Sequence, residues 1–412
     1  MSKDKTLDNR ILSKITFITC LGDFLSFFAI LQILSSLGSS VAVSAFSVVI
    51  KSFAIGLGGL LLPRVLAWAS TRRAIVLSQV CSLVLALGLL LLFLMNRLTI
   101  PGLFGILFFQ TLLKQFFEGA RETHSKSLGT STEHVSLQSQ LLSGFYGAQF
   151  IGPIISFFLI RFLPIQVPLI LDSCSFFVAA LLSIALQNSP LKLNQVNILA
   201  PLKYLRSQSK LRDILLLRSV GFWISMGLFN YLLFSVVVDH FDLSIVNSAW
   251  VYSMLGLGAA AATNLTRNPW TGKASWIGRI PEGWLAFFGQ WGFAFIIFLF
   301  AEIPSFSVAL VLLVFAGVFM GINAVATQAL RRSLTTQSQF SEVVGLELIL
   351  GRLTDISVTS LAFFTLSQGL LTYKTWIEIA AGCWLVCGAL HLRFISPTNA
   401  IIQSEKLQVT KR

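Results

Sequence analysis

The sequence predicts an all-α integral membrane protein, with twelve transmembrane helices arranged as two pseudo-symmetric six-helix bundles. Three observations predict it. Asp, Glu, Lys and Arg together make up only 11% of the 412 residues, against roughly 25% in a soluble chain. Hydrophobic residues reach 55% and the mean hydropathy is +0.81. An aqueous domain cannot hide that much apolar surface, because single cores stop growing at about 250–300 residues. The charges also fall mostly between apolar runs of about 20 residues, the length that crosses a bilayer at helical rise.

Charged loops and Pro/Gly breaks delimit six spans near 15–36, 42–67, 74–95, 102–125, 135–160 and 166–187. Six more follow near 213–237, 245–266, 281–302, 305–329, 343–370 and 375–395. The longest polar connection separates the two sets. The chain therefore divides into an N-terminal bundle over 1–187, a cytoplasmic linker over 188–212, a C-terminal bundle over 213–396 and a cytoplasmic tail over 397–412. The charged start, MSKDKTLDNRILSK, lacks a cleavable signal, so the first apolar run stays as a helix.

Topology follows from the basic residues. With the N-terminus inside, 23 Lys and Arg fall on cytoplasmic segments, and only Arg97, Arg161 and Lys374 on outer loops. That asymmetry places both termini inside and supports an even number of spans. The net charge of +13 then reads as topology and contact with anionic membrane lipid, and not as nucleic-acid binding. The halves also repeat. An offset of 206 residues lays Ser127 and Leu128 over Ser333 and Leu334, Arg73 over Arg279, and Asp172 over Glu378.

Ionisable groups inside spans are the functional candidates, since each costs about 2.5–3.5 kcal/mol on insertion scales. Asp23 lies in span 1, roughly 12 Å from its inner end at helical rise. Lys114, Glu118 and Arg121 project from one face of span 4. Asp23 is within reach of all three if spans 1 and 4 adjoin. Two readings stay open: Asp23 or Glu118 takes up a proton, or the charges form a permanent pair that staples the two helices. Lys51, Lys114, Arg218 and Arg352 are deep cations that suit an anionic substrate, and Arg352 is also placed to pair with Asp355. Glu347, Arg352 and Asp355 read as a local network of span 11. Trp68, Trp250, Trp270, Trp276, Trp284 and Trp376 sit near span ends, as in an interfacial belt. Gly144, Gly147, Ala148 and Gly152 make a small-residue face on span 5 that admits close packing, and Pro153 can bend that helix. The five cysteines form neither a disulfide framework nor a zinc pattern, and no cofactor, metal or enzyme motif is found.

Read in order, several motifs resemble the major facilitator superfamily, and within it the bacterial branch of enterobactin exporters and macrolide-efflux proteins. They are L-G-D-F-L (Leu21 to Leu25), F-F-E-G-A-R (Phe116 to Arg121), A-Q-F-I-G-P (Ala148 to Pro153), L-D-S-C-S-F (Leu171 to Phe176) and Y-L-R-S-Q-S-K-L-R before span 7. One segment departs. The family's loop between helices 2 and 3 usually reads G-x-L-A-D-R-x-G-R-R. This chain has R-V-L-A-W-A-S-T-R-R from Arg64 to Arg73, which keeps Arg72 and Arg73 and puts Trp68 at the acidic place. The resemblance implies a monomeric secondary transporter in a bacterial cytoplasmic membrane. It would export a siderophore-like or drug-like small molecule by alternating access, with proton antiport, and Gly147, Gly152, Pro153, Arg72 and Arg73 would serve gating. An importer or lysophospholipid flippase on the same fold is the alternative.

Overall fold

The computed structural model describes residues 3–36, 41–128, 134–187, 209–216, 236–267, 282–336 and 339–390, and among these no strand occurs. The N-terminal half contains α1 (Lys3–Ser36), α2 (Val41–Trp68), α3 (Thr71–Leu94), α4 (Ile100–Leu128), α5 (His134–Phe162) and α6 (Gln166–Ile184). The C-terminal half opens with the short α7 (Ser209–Leu216). It continues with α8 (Ser248–Arg267), α9 (Glu282–Glu302), α10 (Phe306–Leu334), α11 (Phe340–Ser367) and α12 over 373–390. Nine of the described helices are long and apolar enough to cross a membrane. The others stand where the remaining spans are expected: α7 with the π turn Val236–His240 at the two ends of span 7, then α8 and α12.

The internal repeat is visible in the helix bounds. α4 and α10 begin and end 206 residues apart, and α5 and α11 begin with the same displacement. Large apolar side chains cover the outside of the bundle, Phe158, Phe162, Phe177, Phe295 and Phe315 among them. Polar groups such as Asp8, Arg331, Glu347 and Asp355 lie buried. This inverts the soluble pattern, as expected where lipid is the solvent.

Helix boundaries shift from the sequence reading at several places, most of all at the start of α1. α1 begins at Lys3, ahead of the apolar run, because Asp8 and Asn9 are buried against polar groups of other helices. Asp8 meets the His124 ring at 3.3 Å, and the Asn9 amide donates to Gln140 Oε1 at 2.6 Å. α7 begins at Ser209, inside the segment read as linker, and buries Leu211 and Leu215 against Val343 of α11.

Within the N-terminal half α1 packs on α5 and α6, and α4 on α2 and α3. Across the halves the main contacts are α5 with α8 and α2 with α11. The second crossing is backbone on backbone. A Cβ added to Gly59 would lie 2.7 Å from the Gly345 carbonyl oxygen, and one added to Gly345 would strike the Gly59 carbonyl. Small residues let helices approach this closely.

Candidate functional site

Asp23 stands near the middle of α1, beside α4. Its Oδ2 lies 2.6 Å from Lys114 Nζ, with the two side chains 24% and 34% exposed. Glu118, one turn along α4, is half-buried and has no ion-pair partner among the described residues, though it is within electrostatic reach of Lys114 and Arg352. Lys51 of α2 sits with its Nζ 4.6 Å from the Phe27 ring centroid and likewise makes no ion pair among the described residues. On α11 Arg352 pairs with Asp355 at 2.9 Å. The Ser52 hydroxyl of α2 donates to the same Asp355 Oδ2 at 2.5 Å, tying the halves together at mid-span. Asp23, Lys114, Glu118, Lys51, Arg352 and Asp355 thus converge on one region between α1, α2, α4 and α11.

Aromatic rings close this region on the side where α1 ends. Phe27 and Phe28 of α1 both lie 6.1 Å from Tyr252 of α8, and Phe157 of α5 lies 5.8 Å from Trp250. On the opposite side, the basic face where α1 begins, charge closes it. Arg331 at the end of α10 bridges Glu122 of α4 and, at 2.6 Å, Glu347 of α11. Lys126 donates to the Thr335 and Thr336 carbonyls at 2.5 and 3.2 Å, and Arg332 to Ser125 Oγ at 3.3 Å. The Phe340 ring lies under three of these cations, 4.3 Å from Lys126, 5.4 Å from Arg331 and 6.0 Å from Arg332. Burying Arg331 at 3% exposure is tolerable only because two carboxylates and an aromatic face surround it.

The remaining sequence candidates are dispersed. Arg121 is buried nearer the basic face and donates to Thr16 Oγ1 at 3.1 Å. Gly144 and Gly152 abut Ser13 and Phe24 of α1, and Gly147 lies in ordinary contact with Phe17. The small face of α5 therefore packs within its own half, with Pro153 inside the helix. Arg72 donates to the Ile184 carbonyl at 2.5 Å, and Arg73 gives its backbone N–H to the capping Ser70. Both line a shallow groove of about 440 Å³ away from the charge bridge. Trp68, at the family's acidic place, is 81% exposed. Arg218, Trp270 and Trp276 lie outside the described residues.

Two readings are refined by the structure. Glu347 reaches beyond α11 to hold Arg331 of α10 at the basic end, while Arg352 and Asp355 pair further along the helix. Trp376 does not stand on the outer surface of the bundle. It is 5% exposed and its indole N–H donates to Thr365 Oγ1 at 2.8 Å. Sequence reading also missed the bridge from Glu122 to Arg331. Its one signal was an acid and a base near the ends of two repeat-related helices.

Comparison with known proteins fits this geometry. The sequence pattern of the Major Facilitator Superfamily matches residues 12–353. The fold is similar to that of the proton:xylose symporter XylE, with a TM-score of 0.77 and 11% identity, over 96% of this chain and 97% of that one. It is also similar to the human organic anion transporter MFSD10 (TM-score 0.72, 15% identity, 93% of this chain and 99% of that one). A bacterial homologue of the iron transporter ferroportin in its outward-facing state gives a TM-score of 0.70 at 15% identity, over 94% and 99% of the two chains. No curated protein sequence matches the chain. Two repeated helical halves meeting around mid-membrane charges, with the family pattern running through both, show that this chain is a membrane carrier and not an enzyme, and that it belongs to the Major Facilitator Superfamily.

Proposed function

We propose that the protein is a secondary active exporter that moves a small anionic molecule, siderophore-like or drug-like, out of a bacterial cytoplasm in exchange for protons. Lys51 carries this reading. It is a cation at mid-span with no carboxylate at ion-pair distance among the described residues. Beside it lies Lys114, whose own partner Asp23 is partly open to water. Away from bulk water such a cation draws an anionic solute. Asp23 and Glu118 are the coupling carboxyls in this scheme, and Lys51, Lys114 and Arg352 the substrate-facing cations. Among proteins of similar fold, one is an organic anion transporter and another a proton symporter, which suits both halves of the proposal. Export agrees with the motif on α5, Ala148 to Pro153.

Purified protein in liposomes with an imposed pH gradient and a fluorescent dicarboxylate as probe tests this reading. Gradient-driven flux is expected in the wild type and should be lost in Asp23→Asn and Glu118→Gln. Lys51→Met should weaken probe affinity roughly tenfold, about 1.4 kcal/mol. Undiminished gradient-driven flux in both carboxylate variants would sink the coupling scheme. Movement of labelled lysophospholipid in place of the dicarboxylate would move the assignment to a flippase.

A further inference from the structure

α6 closes onto α1 at Gly22. A Cβ added there would lie 2.7 Å from Asp172 Oδ1 and would collide with Ser175 Oγ. Asp172 is therefore pressed against the backbone of the residue that precedes Asp23. Its side chain is 3% exposed, and its Oδ1 takes no hydrogen bond. The Ser26 hydroxyl of α1 donates to the backbone carbonyl of Asp23 at 3.3 Å. The Ser175 hydroxyl, close at hand, donates instead to the backbone carbonyl of Asp172 at 2.7 Å.

The charged neighbours of Asp172 are few. Asp23 of α1, the residue after Gly22, and Lys114 of α4 both act on it electrostatically. α3, also packed on α6, buries Ser78, Gln79 and Ser82 and no ionisable group. α5 meets α6 lightly and carries His134 and Arg161 near its ends, and Tyr146, which packs into the C-terminal half. Two carboxyls thus share one ammonium, and that ammonium is already engaged by Asp23. Ionising Asp172 as well would bury a second negative charge on an oxygen that has no donor. A proton added at Oδ1 removes that charge and displaces no existing hydrogen bond.

We infer that Asp172 is the carboxyl that stores the exchanged proton, and that Asp23 is the group that passes it to and from water. The inference rests on the proton coupling proposed above and names the group that binds the proton. Loading begins when Asp23 opens from Lys114 and takes a proton from the cavity. The Asp23 O–H bond then breaks as one forms at Asp172 Oδ1, and Asp23, anionic again, re-forms its pair with Lys114. Unloading is the reverse. Gly22 acquires a purpose in this scheme, since only a residue without a side chain lets α6 bring its carboxyl to the α1 backbone.

Infrared difference spectra of the protein in lipid nanodiscs, recorded across a pH titration without substrate, test it. A carbonyl band of a protonated carboxylic acid is expected in the wild type and in Asp23→Asn, and its loss in Asp172→Asn. Gly22→Ala keeps both carboxyls and should shift the midpoint of that band, which keeps the test sharp should Asp172→Asn fail to fold. In liposomes Asp172→Asn should bind the probe normally yet lose acceleration by a pH gradient, and Asp172→Glu should restore it. A band that survives in Asp172→Asn, an unmoved midpoint in Gly22→Ala, or intact gradient-driven flux in Asp172→Asn would overturn the inference while leaving proton coupling itself standing. A wild type with the titrating band but no gradient-driven flux would instead overturn the coupling and leave Asp172 as a proton-binding residue.

Discussion

α4 and α10 are the same helix in the two repeats, and they have divided the work. Along its inner two-thirds α4 carries Lys114, Glu118, Arg121 and Glu122; at the repeat-related places α10 carries Met320, Ala324, Thr327 and Gln328. The charges of α10 are held back to its last turn, Arg331 and Arg332. One copy thus sets its ions along the helix at mid-span, and the other buries neutral residues there and holds its ions to the end. A duplicated scaffold fixes helix length and position, while the two sequences are free to put charge at different depths. Glu122 is where the roles meet: it belongs to the charged face of α4 but is engaged by Arg331 of α10.

The sharpest way to break this division is to remove the cation of the bridge, Arg331. Arg331→Met leaves Glu122 and Glu347 facing each other, and deleting one partner of a buried ion pair costs about 3–5 kcal/mol. The basic face should open, so a cysteine at the fully buried Ser125 should react with an impermeant maleimide at least about tenfold faster, in line with that energy. The double exchange of Glu122→Arg with Arg331→Glu should slow labelling again. Unchanged labelling in Arg331→Met would show that the bridge holds nothing shut.

A smaller effect is expected at the α2–α11 crossing. Gly345→Leu forces a side chain against the Gly59 carbonyl, and overpacking of this kind costs about 1–3 kcal/mol. Thermal unfolding in detergent and turnover should both fall, whereas Gly147→Ala, which meets only ordinary contact with Phe17, should change neither. Equal losses in the two variants would mean that the α5 face, and not this crossing, limits the motion. The smallest effect belongs to Lys374 and Glu302, paired at 2.8 Å on the surface with both side chains more than two-fifths exposed. Lys374→Ala should leave flux and midpoint within error, as exposed pairs of this sort usually do.

Much of this was legible in the chain. Hydropathy and basic loops set the helices, and the 206-residue repeat set their correspondence. Asp23 could be placed within reach of Lys114, Glu118 and Arg121, which share one face of α4, but spacing does not choose Lys114 among the three. The Arg352–Asp355 pair is a single helical turn, visible in any sequence. The Arg331 bridge joins residues about two hundred positions apart, and nothing local marks Glu122 as its partner rather than Glu118. Asp172 was read as a motif at the start of a helix, because its significance depends on Gly22, and helix contact is not written in spacing. Trp376 was misplaced for a related reason: its distance along α12 suggested headgroups, but its indole found Thr365 on the neighbouring helix.

The glycine crossing of α2 and α11 has a mechanical meaning. Where side chains interlock, one helix can slide past another only by changing rotamers, one notch at a time. Two bare peptide ribbons have no such teeth, so the halves can roll about this line like shafts on a plain bearing. The energy that separates one orientation from the other is then set by the ions and rings at the helix ends and by the buried bond from Ser52 to Asp355 along the axle.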